Sequence, residues 1–270
     1  MSTISLPNGA LIWYHQQGRG APLLQIHGSA FGHRNFEKMT PLMASHFTVI
    51  DFDLPGYGES RGGPAIRDFP GLAGTVFQLV RALGHKHVHV HGTSFGAMIA
   101  LTLAALHPEV IDRLVLSCFL ARYDQAARMM RGTWKRAARD SGMEAVADLT
   151  SVAGFARSFY ERADAQAQLA AMREAFSRTT ADAFVAGTEM IERTDLSEFV
   201  PKVIAPTLMI AGQEDNMTPF NPAPSGVGFE QIRRLRPQAE VVMLPQCGHY
   251  LVIEQPEKAA ELIVRFAHKL

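Results

Sequence analysis

Six short apolar runs rich in β-branched residues recur along the chain, separated by longer stretches with helical spacing. They are Leu23–Ile26, Phe47–Phe52, His87–His91, Leu114–Cys118, Thr207–Ala211 and Val241–Leu244. Runs of four to eight residues bounded by turn signals predict buried strands. The intervening segments predict helices. Leu72–Leu83 stops at Gly84, Phe95–Leu106 stops before Pro108, and Pro256–His268 sets Ala259, Leu262, Ile263 and Phe266 on one face. Strands that alternate with helices in this way imply an α/β fold, a mostly parallel sheet of about eight strands with helices on both faces. Residues 3 to 15, turning at Pro7-Asn8-Gly9, add a β-hairpin at the start.

One segment departs from that rhythm. No proline occurs from Ile111 to Val200, and from about Arg122 the sequence reads as helix after helix, with Gly132, Gly142, Gly154 and Gly187 offering breaks. The expected organisation is a core of residues 1–120 and 201–270 carrying an all-helical insertion, 121–200. A Pro/Gly-rich loop, 219–228 (PFNPAPSGVG), is expected to shape the way in for a substrate. Internal repeats and low-complexity tracts are not evident.

Composition narrows the functional classes. The 270 residues are 47% hydrophobic and 19% charged, enough apolar material for a substantial core. Lys plus Arg and Asp plus Glu each number 26, so there is no basic footprint for nucleic acid or an anionic membrane. Two cysteines, Cys118 and Cys247, are too few for a disulfide framework and read as small core residues. MSTISLPNGALIWYH lacks the basic and apolar regions of a signal peptide, and no apolar run reaches membrane-spanning length. A cytoplasmic protein acting on a small molecule is expected, as a monomer or homodimer, with no cofactor, nucleic-acid partner or membrane partner.

The chemistry concentrates where the third run turns into a helix. HVHVHGTSFGAMIALTLAAL, residues 87–106, offers two readings. His87, His89 and His91 alternate on one strand face and could in principle hold zinc, but no acidic ligand accompanies them at useful spacing, so the ladder reads as structural. Gly92-Thr93-Ser94-Phe95-Gly96 reads as a strand–turn–helix junction that projects the Ser94 hydroxyl above the sheet, with glycines where a Cβ would clash. A serine needs a base and the base an orienting carboxylate. Two later strand ends offer them: Gln213-Glu214-Asp215-Asn216 after Thr207–Ala211, and Gln246-Cys247-Gly248-His249 after Val241–Leu244. Either Glu214 or Asp215 could serve as the acid.

With these motifs in hand, the sequence resembles the α/β-hydrolase fold superfamily in its serine-nucleophile branch. The likeness runs nearly the full length, through His27-Gly28, Asp53-Leu54-Pro55-Gly56-Tyr57-Gly58-Glu59-Ser60, the Ser94 elbow, the acid loop and Gly248-His249. Within it the chain is similar to meta-cleavage-product hydrolases, enol-lactonases and small esterases. The resemblance implies Ser94 as nucleophile, His249 as general base then acid, and Asp215 as its orienter. Some members carry the acid after the strand corresponding to Leu114–Cys118, but no carboxylate occurs there before Asp124, which favours Asp215. The resemblance also implies an oxyanion hole from the backbone N–H groups of Phe95 and of Ser29, with Ala30 as the alternative to Ser29, and a helical cap at 121–200. His27 is expected to be a buried, hydrogen-bonded residue.

The activity so implied is hydrolysis of an ester or lactone of a small, largely apolar substrate through an acyl-enzyme, without cofactor or metal. Cleavage of a C–C bond in a ring-cleavage dienoate is the alternative, and a non-catalytic ligand-binding member of the fold is a third reading. Nine apolar residues of the insertion (Met129, Met130, Trp134, Phe155, Phe159, Tyr160, Phe176, Phe184 and Met190) divide between the cap's own core and the pocket, with about a third expected to face the pocket.

Overall fold

The computed structural model describes residues 2–63 and 67–269. Among the described residues there are nine strands: β1 (Ser2–Ser5), β2 (Ala10–Gly18), β3 (Ala21–Ile26), β4 (Phe47–Phe52), β5 (Arg61–Gly62), β6 (Val88–Thr93), β7 (Ile111–Ser117), β8 (Thr207–Gly212) and β9 (Glu240–Leu244). Eight of them lie in the order β1-β2-β4-β3-β6-β7-β8-β9, and β5 pairs with β2. The β1–β2 hairpin and the β2–β4 pairing are antiparallel, and every pairing from β4 through β9 is parallel. The α/β sheet expected from the alternating pattern is therefore the one observed.

Ten α-helices accompany the strands among the described residues: α1 (Thr40–Met43), α2 (Phe69–Ala82), α3 (Phe95–Leu106), α4 (Gln125–Asp140), α5 (Met143–Gly154), α6 (Ala165–Ser177), α7 (Ala181–Arg193), α8 (Phe229–Leu235), α9 (Leu251–Glu254) and α10 (Pro256–Ala267). None is long and apolar enough to cross a membrane among the described residues. Successive side chains of a strand point to opposite faces, and the two cores divide accordingly. Leu24, Val90, Leu114, Leu116 and Met209 pack with α2 and α3, whereas Leu23, Val115, Leu208 and Ile210 pack with the Leu262, Ile263 and Phe266 stripe of α10. Because both faces are covered, β7 and β8 carry apolar runs without alternation, Leu114–Leu116 and Leu208–Ala211.

β6 begins at Val88, one residue later than the sequence pattern suggests, because His87 is exposed and lies 3.9 Å from Asp112. The histidine ladder spans an environmental gradient: His85 and His89 are half-buried, and His91 is fully buried with Nε2 2.9 Å from Ser117 Oγ. Burial pushes the His91 imidazole down to about 3, so it is neutral.

Helices α4–α7 all lie between β7 and β8. Asp124 caps α4 by accepting the Ala127 N–H at 2.8 Å, and Thr180 caps α7. Gly142 and Gly154 mark breaks as expected, but Gly132 and Gly187 lie inside α4 and α7. A helical glycine costs only about 1 kcal/mol, and a Cβ at Gly187 would stand 3.0 Å from Tyr57 Oη, so close packing accounts for that one. The helices share a third core, in which Trp134, Val146, Phe159, Phe176 and Phe184 pack with Phe31, Met217 and Tyr250 from loops of the sheet. The 219–228 loop lies at the root of this helical segment. Its Ala223 N–H donates to Asp124 Oδ2 at 2.8 Å, and Val227 bridges Arg122, which in turn bridges Asp195.

Candidate active site

In a parallel sheet the loops after the strand C-termini converge on one rim, where ligands bind. Four such ends meet here, from β3, β6, β8 and β9. The β6 end is the sharpest. Ser94 has φ 55° and ψ −117°, a strained conformation for a residue with a side chain, and its N–H donates to Ser117 O at 2.8 Å. The flanking glycines make that turn possible: a Cβ at Gly92 would overlap the Gly96 carbonyl oxygen, and one at Gly96 would overlap Ile26 O. Ala97, where a third glycine often stands, is fully buried without such a clash.

The three separated side chains are brought together. His249 Nε2 is 2.9 Å from Ser94 Oγ, and His249 Nδ1 is 2.9 Å from Asp215 Oδ2. All three are buried. Asp215 Oδ1 accepts the N–H groups of Met217 (2.9 Å) and Thr218 (2.8 Å), and Oδ2 accepts the Thr218 hydroxyl (2.6 Å). Burial alone would raise this carboxyl, but His249 and the Thr218 hydrogen bonds outweigh it and hold the group below its ordinary value. An ionised Asp215 accepts from Nδ1–H, which leaves the Nε2 lone pair facing Ser94. Glu214 does not join the arrangement; its Oε2 accepts the Arg157 N–H at 3.0 Å instead. Thr218 and Glu254 escaped the sequence reading. Glu254 accepts the N–H of Gly248 (3.0 Å) and of Ala156 (2.9 Å), clamping the histidine loop to the helical segment. Burial pushes its carboxyl up to about 7.

On the other side of Ser94, the N–H groups of Phe95 and Ser29 have no protein acceptor among the described residues. The loop bearing Ser29 is fastened by Asn35, whose Oδ1 accepts the Gly28 N–H at 2.7 Å. His27 Nε2 accepts the Leu54 N–H at 3.0 Å, so the proton sits on Nδ1 and is donated to Gly28 O at 2.8 Å. Burial lowers its pKa, and it is a neutral structural imidazole. Ala30 follows with φ 71°. Its carbonyl accepts the Thr179 hydroxyl.

Ser94 and His249 open into a cavity of about 30 Å³, which Ser29 and Asn35 also line. Of the nine apolar residues of the helical segment, Trp134, Phe176 and Phe184 line it. No residue of 219–228 is among those lining it; the backbone of that loop is held at the Arg122–Asp124 root, and Met217, just before it, contributes instead. His87, His89 and His91 form no group of three metal-ligand side chains among the described residues; the only such group found there is Cys118, Asp215 and His249. Cys118 and Cys247 are buried and unpaired, and burial raises both thiols.

The family model for the alpha/beta hydrolase fold matches residues 21–256. The chain is 27% identical over 260 residues to a pimeloyl-[acyl-carrier protein] methyl ester esterase of Xanthomonas axonopodis pv. citri, covering 92% of this chain and 96% of the esterase. It is 25% identical over 261 residues to the 2-hydroxy-6-oxo-6-(2'-aminophenyl)hexa-2,4-dienoic acid hydrolase of Metapseudomonas resinovorans, covering 94% and 86% of the two chains. The fold is similar to that of the enol-lactonase from Burkholderia xenovorans LB400, with a TM-score of 0.87 at 23% identity over 99% of this chain and 100% of that one. The strand order, the glycine-flanked elbow and the full-length match agree: this chain belongs to the alpha/beta hydrolase fold family.

Proposed function

We propose that this protein is a serine hydrolase that cleaves an ester or lactone through an acyl-enzyme. The observation that carries the reading is the continuous chain Ser94 Oγ–His249 Nε2/Nδ1–Asp215 Oδ2, with both links at 2.9 Å. His249 takes the Ser94 proton as Oγ attacks the carbonyl carbon, and the N–H groups of Phe95 and Ser29 receive the developing oxyanion. Collapse expels the alcohol, which receives the proton from His249. Water, deprotonated by the same imidazole, then releases the acid and restores Ser94.

Residues 121–200, which carry helices α4–α7, act in this reading as a cap over a core made of 1–120 and 201–270. The aromatic lining favours a substrate with a largely apolar body. Of the two sequence relatives, one is a methyl ester esterase, which supports the ester reading, and the other is a dienoic acid hydrolase.

The test is labelling with a fluorophosphonate and turnover of p-nitrophenyl acetate and butyrate, in the wild type and in Ser94→Ala. Labelling and turnover that disappear in the variant are expected. A wild type inert to both reagents would favour a binding role. Turnover of a ring-cleavage dienoate without any ester hydrolysis would favour C–C cleavage.

A further inference from the structure

α4 buries Ala127, Arg131, Trp134 and Ala138, a stripe at spacings of four, three and four that is apolar except for one arginine. An arginine buried on the inward face of a helix needs an electrostatic reason, because burying an unpaired ion costs several kcal/mol. Arg131 is 3% exposed. Its guanidinium carries five N–H donors. The one hydrogen bond it makes to protein among the described residues runs from Nη2 to Tyr123 Oη at 2.7 Å. The Nε donor is buried with no acceptor at all. No carboxylate lies within 4.0 Å of it among the described residues, so its charge is answered only by the ring faces of Tyr123 (4.4 Å) and Trp134 (5.4 Å).

This half-satisfied cation lines the same cavity as Ser94 and His249. No carboxylate lines that cavity, and Asp215 is engaged by His249 and Thr218. A planar guanidinium with free donors matches an anion that can accept two parallel N–H bonds, and the two coplanar oxygens of a carboxylate suit that fork. We infer that Arg131 anchors a free carboxylate of the substrate, so that the enzyme acts on esters or lactones carrying an anionic group on an otherwise apolar body. The inference rests on the serine-hydrolase reading and deepens it. The cationic anchor and the aromatic walls divide the work: the walls accept the apolar body, and Arg131 fixes its orientation relative to Ser94.

Comparison of monomethyl adipate and monomethyl glutarate with the uncharged methyl hexanoate and methyl valerate, followed by acid release in a pH-stat, tests this. The wild type is expected to favour the half-esters in kcat/KM. In Arg131→Met the charged-to-neutral ratio is expected to fall roughly 10- to 100-fold, the range for a charge-assisted hydrogen bond, with Arg131→Lys intermediate. An equal loss on both substrate classes would mark Arg131 as structural and overturn the inference. So would a wild type that prefers the neutral esters. A measurement on the wild type alone guards against a misfolded variant: free adipate should slow fluorophosphonate labelling, and adipamide should not. Labelling with neutral-ester turnover but no anion preference removes this inference alone. No labelling and no turnover of any ester removes the serine reading together with it.

Discussion

Replacing Asp215 by Asn preserves the shape of the side chain and changes only which of its atoms can donate. The new amide has two orientations. With its oxygen in the place of Oδ1, it still accepts the Met217 and Thr218 N–H groups, now at 2.9 and 2.8 Å. Its NH₂ then faces His249 Nδ1 and the Thr218 hydroxyl oxygen, both of which can accept. The opposite orientation sets an NH₂ against two backbone donors and leaves both unsatisfied, at about 1–3 kcal/mol each. The first orientation wins by several kcal/mol. It forces the His249 proton onto Nε2, where it points at Ser94 Oγ and the imidazole can no longer serve as base. Loss of the base through the wrong tautomer lowers kcat by about 10⁴-fold in the serine protease used as the general template, or about 5.5 kcal/mol of barrier. A fall of that order in p-nitrophenyl butyrate turnover is expected here, with thermal melting nearly unchanged because every amide atom keeps a partner. Glu214→Gln is the control and should stay within about threefold, since Glu214 Oε2 meets only the Arg157 N–H. An Asn variant within tenfold of the wild type, or a Glu214→Gln variant that is the inactive one of the pair, would refute the assignment of the acid.

Two further outcomes follow from strain and burial. Ser94→Gly should melt above Ser94→Ala, because glycine relieves a strain of about 1–3 kcal/mol at φ 55°, offset by roughly 0.5–1 kcal/mol of added chain entropy; a lower melting temperature for the glycine variant in calorimetry would contradict the strain. Glu254 is displaced from 4.5 to about 7 by burial, so the folded state holds its proton where the unfolded state has released it. Its contribution to stability is full below pH 4.5 and is lost as pH rises through about 7, a change of about 3 kcal/mol. Urea midpoints should therefore fall between pH 5 and 8 more steeply for the wild type than for Glu254→Gln, and parallel profiles would refute the displacement.

Much of the architecture was legible in the chain because it is written in local periodicity. β4 and α3 fall on the residues their patterns indicate, and α10 buries the Ala259, Leu262, Ile263 and Phe266 stripe. The elbow was legible for a steric reason, since only glycine at 92 and 96 allows the carbonyl oxygens of Gly96 and Ile26 to come so close. Gly187 illustrates the opposite case: as a helix breaker it misleads, because the close neighbour that accounts for it is Tyr57, 130 positions earlier.

Residue types and their order along the chain determined the strands, the helices and the three side chains offered to the reaction. Tertiary structure alone decided their partners: Thr218 behind Asp215, Glu254 clamping Gly248 to Ala156, and Arg131 left without a carboxylate inside the cavity. Periodicity is a property of neighbours a few residues apart. Burial and charge compensation depend on what the rest of the fold sets against a side chain, and for Ser94 and His249 that meeting spans 155 positions.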